Sequence, residues 1–119
     1  MELMIVIVIV AILVSLAYPS YIQYIRKAKR GEAQQLLMNW SINQEIWRSN
    51  NVQYATIAQL VQPGHEHYNF ALPARSATVY TLQAAATDDQ LNDVSRDGVS
   101  CATLTLNESG QKLPAVCWD

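Results

Sequence analysis

The side chains in this 119-residue chain that could do chemistry fall into four small groups. His65 and His67 flank Glu66. Two histidines at a two-residue spacing share one face of a strand and could share a metal ion, but no third ligand is evident nearby. Asp88 and Asp89, with Asp93 and Asp97 beyond them, could form an acid dyad or a weak calcium loop. Adjacent carboxylates on a loop usually point apart and stay solvated, and this spacing is not that of an EF-hand. Cys101 and Cys117 are the minimum for one disulfide. Glu2 stands alone at the mouth of an apolar run. The chain has no helical His-Glu-x-x-His, no Gly-rich phosphate loop and no Gly-x-Ser-x-Gly elbow. The expectation is no catalytic residue, no metal, no cofactor and no enzyme activity.

The elements that must position these groups begin with residues 3–18, LMIVIVIVAILVSLAY, in which Ser15 is the main polar interruption. The run is shorter than the ~20 residues that span a bilayer comfortably. It lacks the basic leader and small-residue cleavage site of a signal peptide. Nothing else in the chain is apolar enough to enclose it as a core helix. Its pattern is at full strength from Met1-Glu2 onward, so it reads as a membrane helix without its first few residues. A carboxylate at the tip of such a helix is costly in lipid and calls for a partner. Pro19 lacks an amide hydrogen and should break or kink the helix.

Helical periodicity continues through residues 22–49, with Ala33, Leu36, Leu37, Trp40 and Trp47 at three- and four-residue spacing. Ile42 and Ile46 are expected to widen that stripe, and both tryptophans to be core. Asn50-Asn51 is a plausible stop, and Thr56 is placed to cap a short second helix through Leu60. Farther on, Thr78–Ala85 and Cys101–Leu106 alternate as strands. Asn107–Gly110 reads as a tight turn leading to a returning strand at Gln111–Leu113. Tyr68–Leu72 is a short earlier strand bounded by Pro63-Gly64 and Pro73, and residues 87–100 form a polar loop. The fold class is α+β: a long N-terminal α-helix packed on a small antiparallel sheet, with residues 1–25 as the hydrophobic helix and 26–119 as the globular domain.

Formal net charge is −2 and implies no partner by itself. Arg26, Lys27, Lys29 and Arg30 make a basic knot, expected to be a solvated turn beyond the membrane that touches lipid headgroups. Residues 65–119 carry seven acids against three bases, Arg75, Arg96 and Lys112, which argues against a broad nucleic-acid face. The knot would stay on the cytoplasmic side by the positive-inside rule, whereas a cysteine bridge asks for the oxidising side. A basic leader ahead of the chain would settle the conflict. With that orientation Cys101 and Cys117 are expected to be bridged, two buried free thiols being the alternative.

The segment Glu2–Tyr21, ELMIVIVIVAILVSLAYPSY, resembles the N-terminal signature of type IV pilins. Farther along, Gln44-Glu45, Tyr54-Ala55, Tyr80-Thr81-Leu82, the Cys101-x-Thr-Leu-Thr-Leu run, Gly110 and Cys117-Trp118 resemble the PilE/ComP-like minor pilin subgroup. The resemblance implies a bent helix on a sheet of about four strands. Glu2 would pair with the terminal amine of a neighbouring subunit, Pro19 would be the kink, and the greasy helices would form the filament core. It implies a leader cut by a prepilin peptidase, residence in the bacterial inner membrane with a periplasmic ectodomain, and then export into an extracellular pilus among other pilin subunits. In the family a leader and a Phe-Thr-Leu-Ile segment precede the acid, whereas here Met1 sits where the Ile belongs and no peptidase site is written. The leading expectation is a structural pilus subunit, a minor pilin supporting twitching, adhesion or DNA uptake. A ComP-like DNA receptor and a type II secretion pseudopilin are the alternatives; the acidic head counts against the first and the paired cysteines against the second.

Overall fold

A computed structural model describes residues 1–118. Its dominant element is α1, Glu2–Ser49, a single 48-residue helix. At 1.5 Å per residue it is about 72 Å long, and it sets the longest dimension of the molecule, 76 Å against 25 and 19 Å across. Pro19 lies inside it and does not end it. The expected break is therefore absent: one proline deletes a single backbone hydrogen bond, and the remaining bonds of the long helix carry it past that position.

The two halves of α1 have different surroundings. The apolar stem is bare, with Leu3 72% exposed and even its least exposed members, Ile9 and Val10, more than half open. From Arg30 onward one stripe is buried: Arg30, Ala33, Leu37, Trp40 and Gln44. It packs on a four-stranded antiparallel sheet in the order β1-β2-β3-β4. These strands are β1 (Tyr68–Arg75), β2 (Tyr80–Ala86), β3 (Thr103–Asn107) and β4 (Lys112–Leu113). Strand β2 alternates strictly, turning Tyr80, Leu82, Ala84 and Ala86 inward. Leu104 and Leu106 of β3 join the same face. Edge-on aromatic pairs, Trp40–Phe70 at 6.3 Å and Tyr54–Tyr80 at 4.7 Å between centroids, pack within the core.

Several expectations change in detail. Ile42 and Ile46 are 58% and 59% exposed and do not widen the core stripe. At about 100° per residue, Ile42 sits roughly 200° round the helix from Trp40. The core position falls instead to Gln44, whose amide brackets Ala55: Nε2 donates to the Ala55 carbonyl (3.0 Å) and Oε1 accepts from its N–H (2.8 Å). Trp47 is half-buried. Thr56 caps only a single turn, its hydroxyl accepting from the Gln59 N–H, and no second helix forms before Pro63.

Strand β1 runs through Pro73 to Arg75. It is an edge strand, and a register shift between Ala71 and Ala74 takes up the proline. Strand β2 starts two residues late because Ser76 Oγ accepts from the Thr78 and Val79 amides in the preceding turn. Cys101 stays out of β3 because its N–H donates to the Asp93 carbonyl. The 87–100 loop contains a short 3-10 turn at Asp88–Asn92. Gly110 closes the β3–β4 turn at φ +80°, a left-handed position that glycine takes without penalty.

Candidate assembly interface

Stem, Pro19, basic knot and head all lie on or against α1. Glu2 is in its first turn, where a carboxylate complements the free amides of the helix N-terminus. Behind it the window of highest hydropathy, with a mean of 2.6, has none of its surface covered by the rest of the molecule. A single helix exposing that much hydrocarbon needs lipid or other helices around it. Tyr18, Tyr21 and Tyr24 follow, each more than 60% exposed.

Half of the basic knot departs from the solvated turn expected from sequence; Lys27 stays exposed. Arg26 and Arg30, one helical turn apart, face the 87–100 loop and meet Asp89 and Asp93, which are also four residues apart. Arg26 grips Asp89 bidentately, Nε to Oδ2 at 3.1 Å and Nη2 to Oδ1 at 2.9 Å. Arg30 Nη1 reaches both Asp93 oxygens at 3.0 Å. The outer pair is open to water on the Asp89 side; the inner pair is buried, with Asp93 only 1% exposed. The hydrogen bond from Arg26 holds the Asp89 carboxyl below the usual carboxylate range. Burial pushes the Asp93 carboxyl up, against the opposing pull of Arg30. Gln90 completes the clamp: its Nε2 donates to the Arg26 carbonyl (2.7 Å) and to the Tyr68 hydroxyl oxygen (3.0 Å). Burial raises the Tyr68 phenol to about 12, so it stays neutral at any ordinary pH.

The remaining sequence candidates are placed as follows. His65 Nδ1 accepts from the His67 N–H, and Nε2 lies 2.7 Å from Glu32 Oε2 on α1, so the His-Glu-His run ties a loop to the helix. Among the described residues no three metal-capable side chains converge. Asp88 and Asp89 do not act as a dyad, since Asp89 turns to Arg26. Cys101 and Cys117 are bridged, with Cα atoms 5.7 Å apart. The Cys117 carbonyl also accepts from Gln34 Nε2 at 2.6 Å, which fastens the chain end to α1. Arg96, scattered in the sequence, comes to line a recess of about 410 Å³ with Lys27 and Arg30. The clamp and the Gln44 bracket were missed from sequence. The i, i+4 match between Arg26/Arg30 and Asp89/Asp93 was the available signal.

A bare apolar half-helix continuous with a head of helix on meander sheet, stapled near its C-terminus, defines a filament-forming pilin. The solved structure of a type IV pilin from Shewanella oneidensis is similar, at 27% identity and TM-score 0.63, over 79% of this chain and 98% of that one. The Neisseria meningitidis non-core minor pilin PilV shares the fold at 21% identity and TM-score 0.60, over 76% of this chain and 86% of its own. Residues 19–105 match the family model described as type IV minor pilin ComP, DNA uptake sequence receptor, and the chain belongs to that family. It is a subunit of a type IV pilus. No curated protein matches it in sequence. The family match starts at Pro19, beyond the apolar run, and stops inside β3, ahead of β4 and Cys117, so the roles of Glu2 and the bridge are argued from the chain itself.

Proposed function

We propose that the chain works as two parts, a stem of residues 1–25 that holds it first in the inner membrane and then in the filament core, and a head of residues 26–119 carried in the periplasm and then outside the cell. The observation that carries this is the bare stem, whose surface only lipid or neighbouring stems can satisfy. Glu2 is the register device: its charge is tolerable in an apolar bundle only when a neighbour's terminal amine meets it. Pro19 is the point where the stem flexes against the head during transfer. Any leader on the precursor is removed by a prepilin peptidase, which frees that amine. The reading has no catalytic step.

The test is mass spectrometry of sheared surface fibres from cells carrying the full precursor. The native chain should be found in them, and Glu2→Ala should lower its incorporation about tenfold, a factor worth about 1.4 kcal/mol. Circular dichroism of the head should be unchanged. A normal fibre level for Glu2→Ala would remove the register role, and absence of the native chain from fibres would overturn the filament reading.

The family's printed description as a DNA uptake sequence receptor supports a second reading, capture of DNA by the head. The Lys27–Arg96 recess favours it, with the Asp97 carboxylate also in its lining. Against it, Arg75 is spent on Gln53 and the Tyr54 carbonyl, and Lys112 lies over the Trp118 ring at 5.5 Å. Few cations are left for phosphates. A gel-shift titration of the full chain in detergent should show weak binding that vanishes between low and moderate salt. Tight, sequence-selective binding at moderate salt would place this reading first.

A further inference from the structure

Lys27 and Arg96 are exposed cations that the clamp leaves over at the stem end of the head, and neither has an ion-pair partner among the described residues. They belong to different elements, α1 and the 87–100 loop. Together with Arg30, Ser95, Asp97 and Val116 they line one recess of about 410 Å³. A second hollow of about 310 Å³ shares Lys27, Arg30 and Arg96 and is also lined by Tyr24.

Arg96 does not stand on a loose tip. It lies in the turn Ser95–Val99, which three hydrogen bonds close. The Ser95 N–H donates to the Val99 carbonyl (2.8 Å), the Gly98 N–H to the Ser95 carbonyl (3.0 Å), and the Val99 N–H to Ser95 Oγ (3.1 Å). Ser95 is 8% exposed. Its hydroxyl oxygen accepts that last bond, while its own hydrogen has no acceptor among the described residues. The lining therefore offers an ammonium, a guanidinium and a hydroxyl as donors. Arg30 is already neutralised by Asp93, and Asp97 stands against one of the other cations, so one positive charge remains. That is the complement of a single phosphodiester, which carries one negative charge and presents acceptors only.

The level of the recess along α1 selects the source of that group. Residues 3–25 carry no charge. They make about 34 Å of helix, against a hydrocarbon core of ~30 Å. Arg26 is the first cation beyond them, so the hydrocarbon ends just short of it. Tyr18, Tyr21 and Tyr24 mark the boundary where aromatic rings collect between hydrocarbon and water. Side chains on a helix lean toward its N-terminus, which brings Lys27 back toward the stem. A DNA duplex presents phosphates in rows and is held by rows of cations. Here the donors converge on one phosphate, and Arg75 and Lys112 are engaged elsewhere.

We propose that the Lys27–Arg96 recess binds the headgroup of an anionic phospholipid and so holds the head against the bilayer while the subunit is still in the membrane. The inference rests on the membrane residence proposed above and names what the head touches there. The contact is given up when the stem leaves the bilayer for the filament.

The experiment uses the full chain. It should float with phosphatidylcholine vesicles whether or not Lys27 and Arg96 are changed, because the stem inserts. In neutral detergent, titrated with phosphatidylglycerol and followed by native mass spectrometry, the chain should take up one lipid in preference to phosphatidylcholine. Lys27→Gln with Arg96→Gln should weaken that uptake about thirtyfold, the scale of two cations at an anionic surface. Lys29→Gln with Lys112→Gln removes the same charge outside the recess and should change the uptake little. Equal losses in the two variants, or equal uptake of phosphatidylcholine, would overturn the headgroup site and leave the membrane reading standing. So would displacement of the lipid by inorganic phosphate or by a short DNA duplex at the same concentration. Failure of the native chain to float would overturn both.

Discussion

Replacing Asp93 with alanine should destabilise the head by about 3–5 kcal/mol, because it strands the Arg30 guanidinium in a buried site. Asp93 is 1% and Arg30 6% exposed, so bulk water replaces the lost contacts only in part. Measured by denaturant unfolding of the full chain in detergent, that is a large share of the 5–15 kcal/mol typical of a domain. Removing both charges should be far milder. Burial raises the Asp93 carboxyl despite its partner, so Arg30 does not fully offset the cost of drying that carboxylate. Arg30→Met with Asp93→Leu should therefore recover most of the loss. A double variant as unstable as the single one would show that Arg30 acts through contacts other than Asp93.

Acid should not imitate the alanine variant. Asp93 has a raised carboxyl, so its burial cost is present above that value and is relieved as pH falls through it. Asp89 has a lowered carboxyl; its contribution is present above the ordinary carboxylate value of about 3.9 and is lost as pH falls through its folded value. The two responses oppose each other. Unfolding measured near pH 4 should consequently show less loss than Asp93→Ala shows at neutral pH.

The second large effect is at the bridge. Cys101→Ser with Cys117→Ser should cost about 3 kcal/mol, the chain-entropy value for a loop of this size. The separation is 16 residues and encloses β3, the Gly110 turn and β4. Strand β4 has only two residues and pairs with β3 alone, so little else holds the end of the chain in place. The loss should be local first: amide exchange should rise at Lys112 and Leu113 well before the β1–β2 pairs open. Equal exchange in the oxidised and serine forms would show that the Gln34–Cys117 hydrogen bond and the packing of Cys117 suffice.

The parts of this fold that were legible in the sequence are those where burial and residue type agree. The bare stem, the alternation of Tyr80, Leu82 and Ala84, and the turn at Gly110 follow from apolarity, period and the left-handed preference of glycine. Boundaries were less legible because local hydrogen bonds override pattern: Ser76 claims Thr78 and Val79 for a turn, and Asp93 claims Cys101. Buried polar residues were illegible. Gln44 and Arg30 look like any surface residue until their partners, 11 and 63 positions away, are placed beside them. Ile42 and Ile46 were misassigned because apolar type was read as core, although their angular position puts them on the opposite face. In the candidate interface, the bare stem was legible from residue type, whereas the Arg26–Asp89 and Arg30–Asp93 pairing was not.

The position of those two pairs has a mechanical consequence. They join α1 to the 87–100 loop at the stem-proximal end of the head, ahead of Ala33, Leu37 and Trp40. A pull along the stem reaches them before it reaches the apolar seam. Of the two, the buried Arg30–Asp93 pair is the costlier to part.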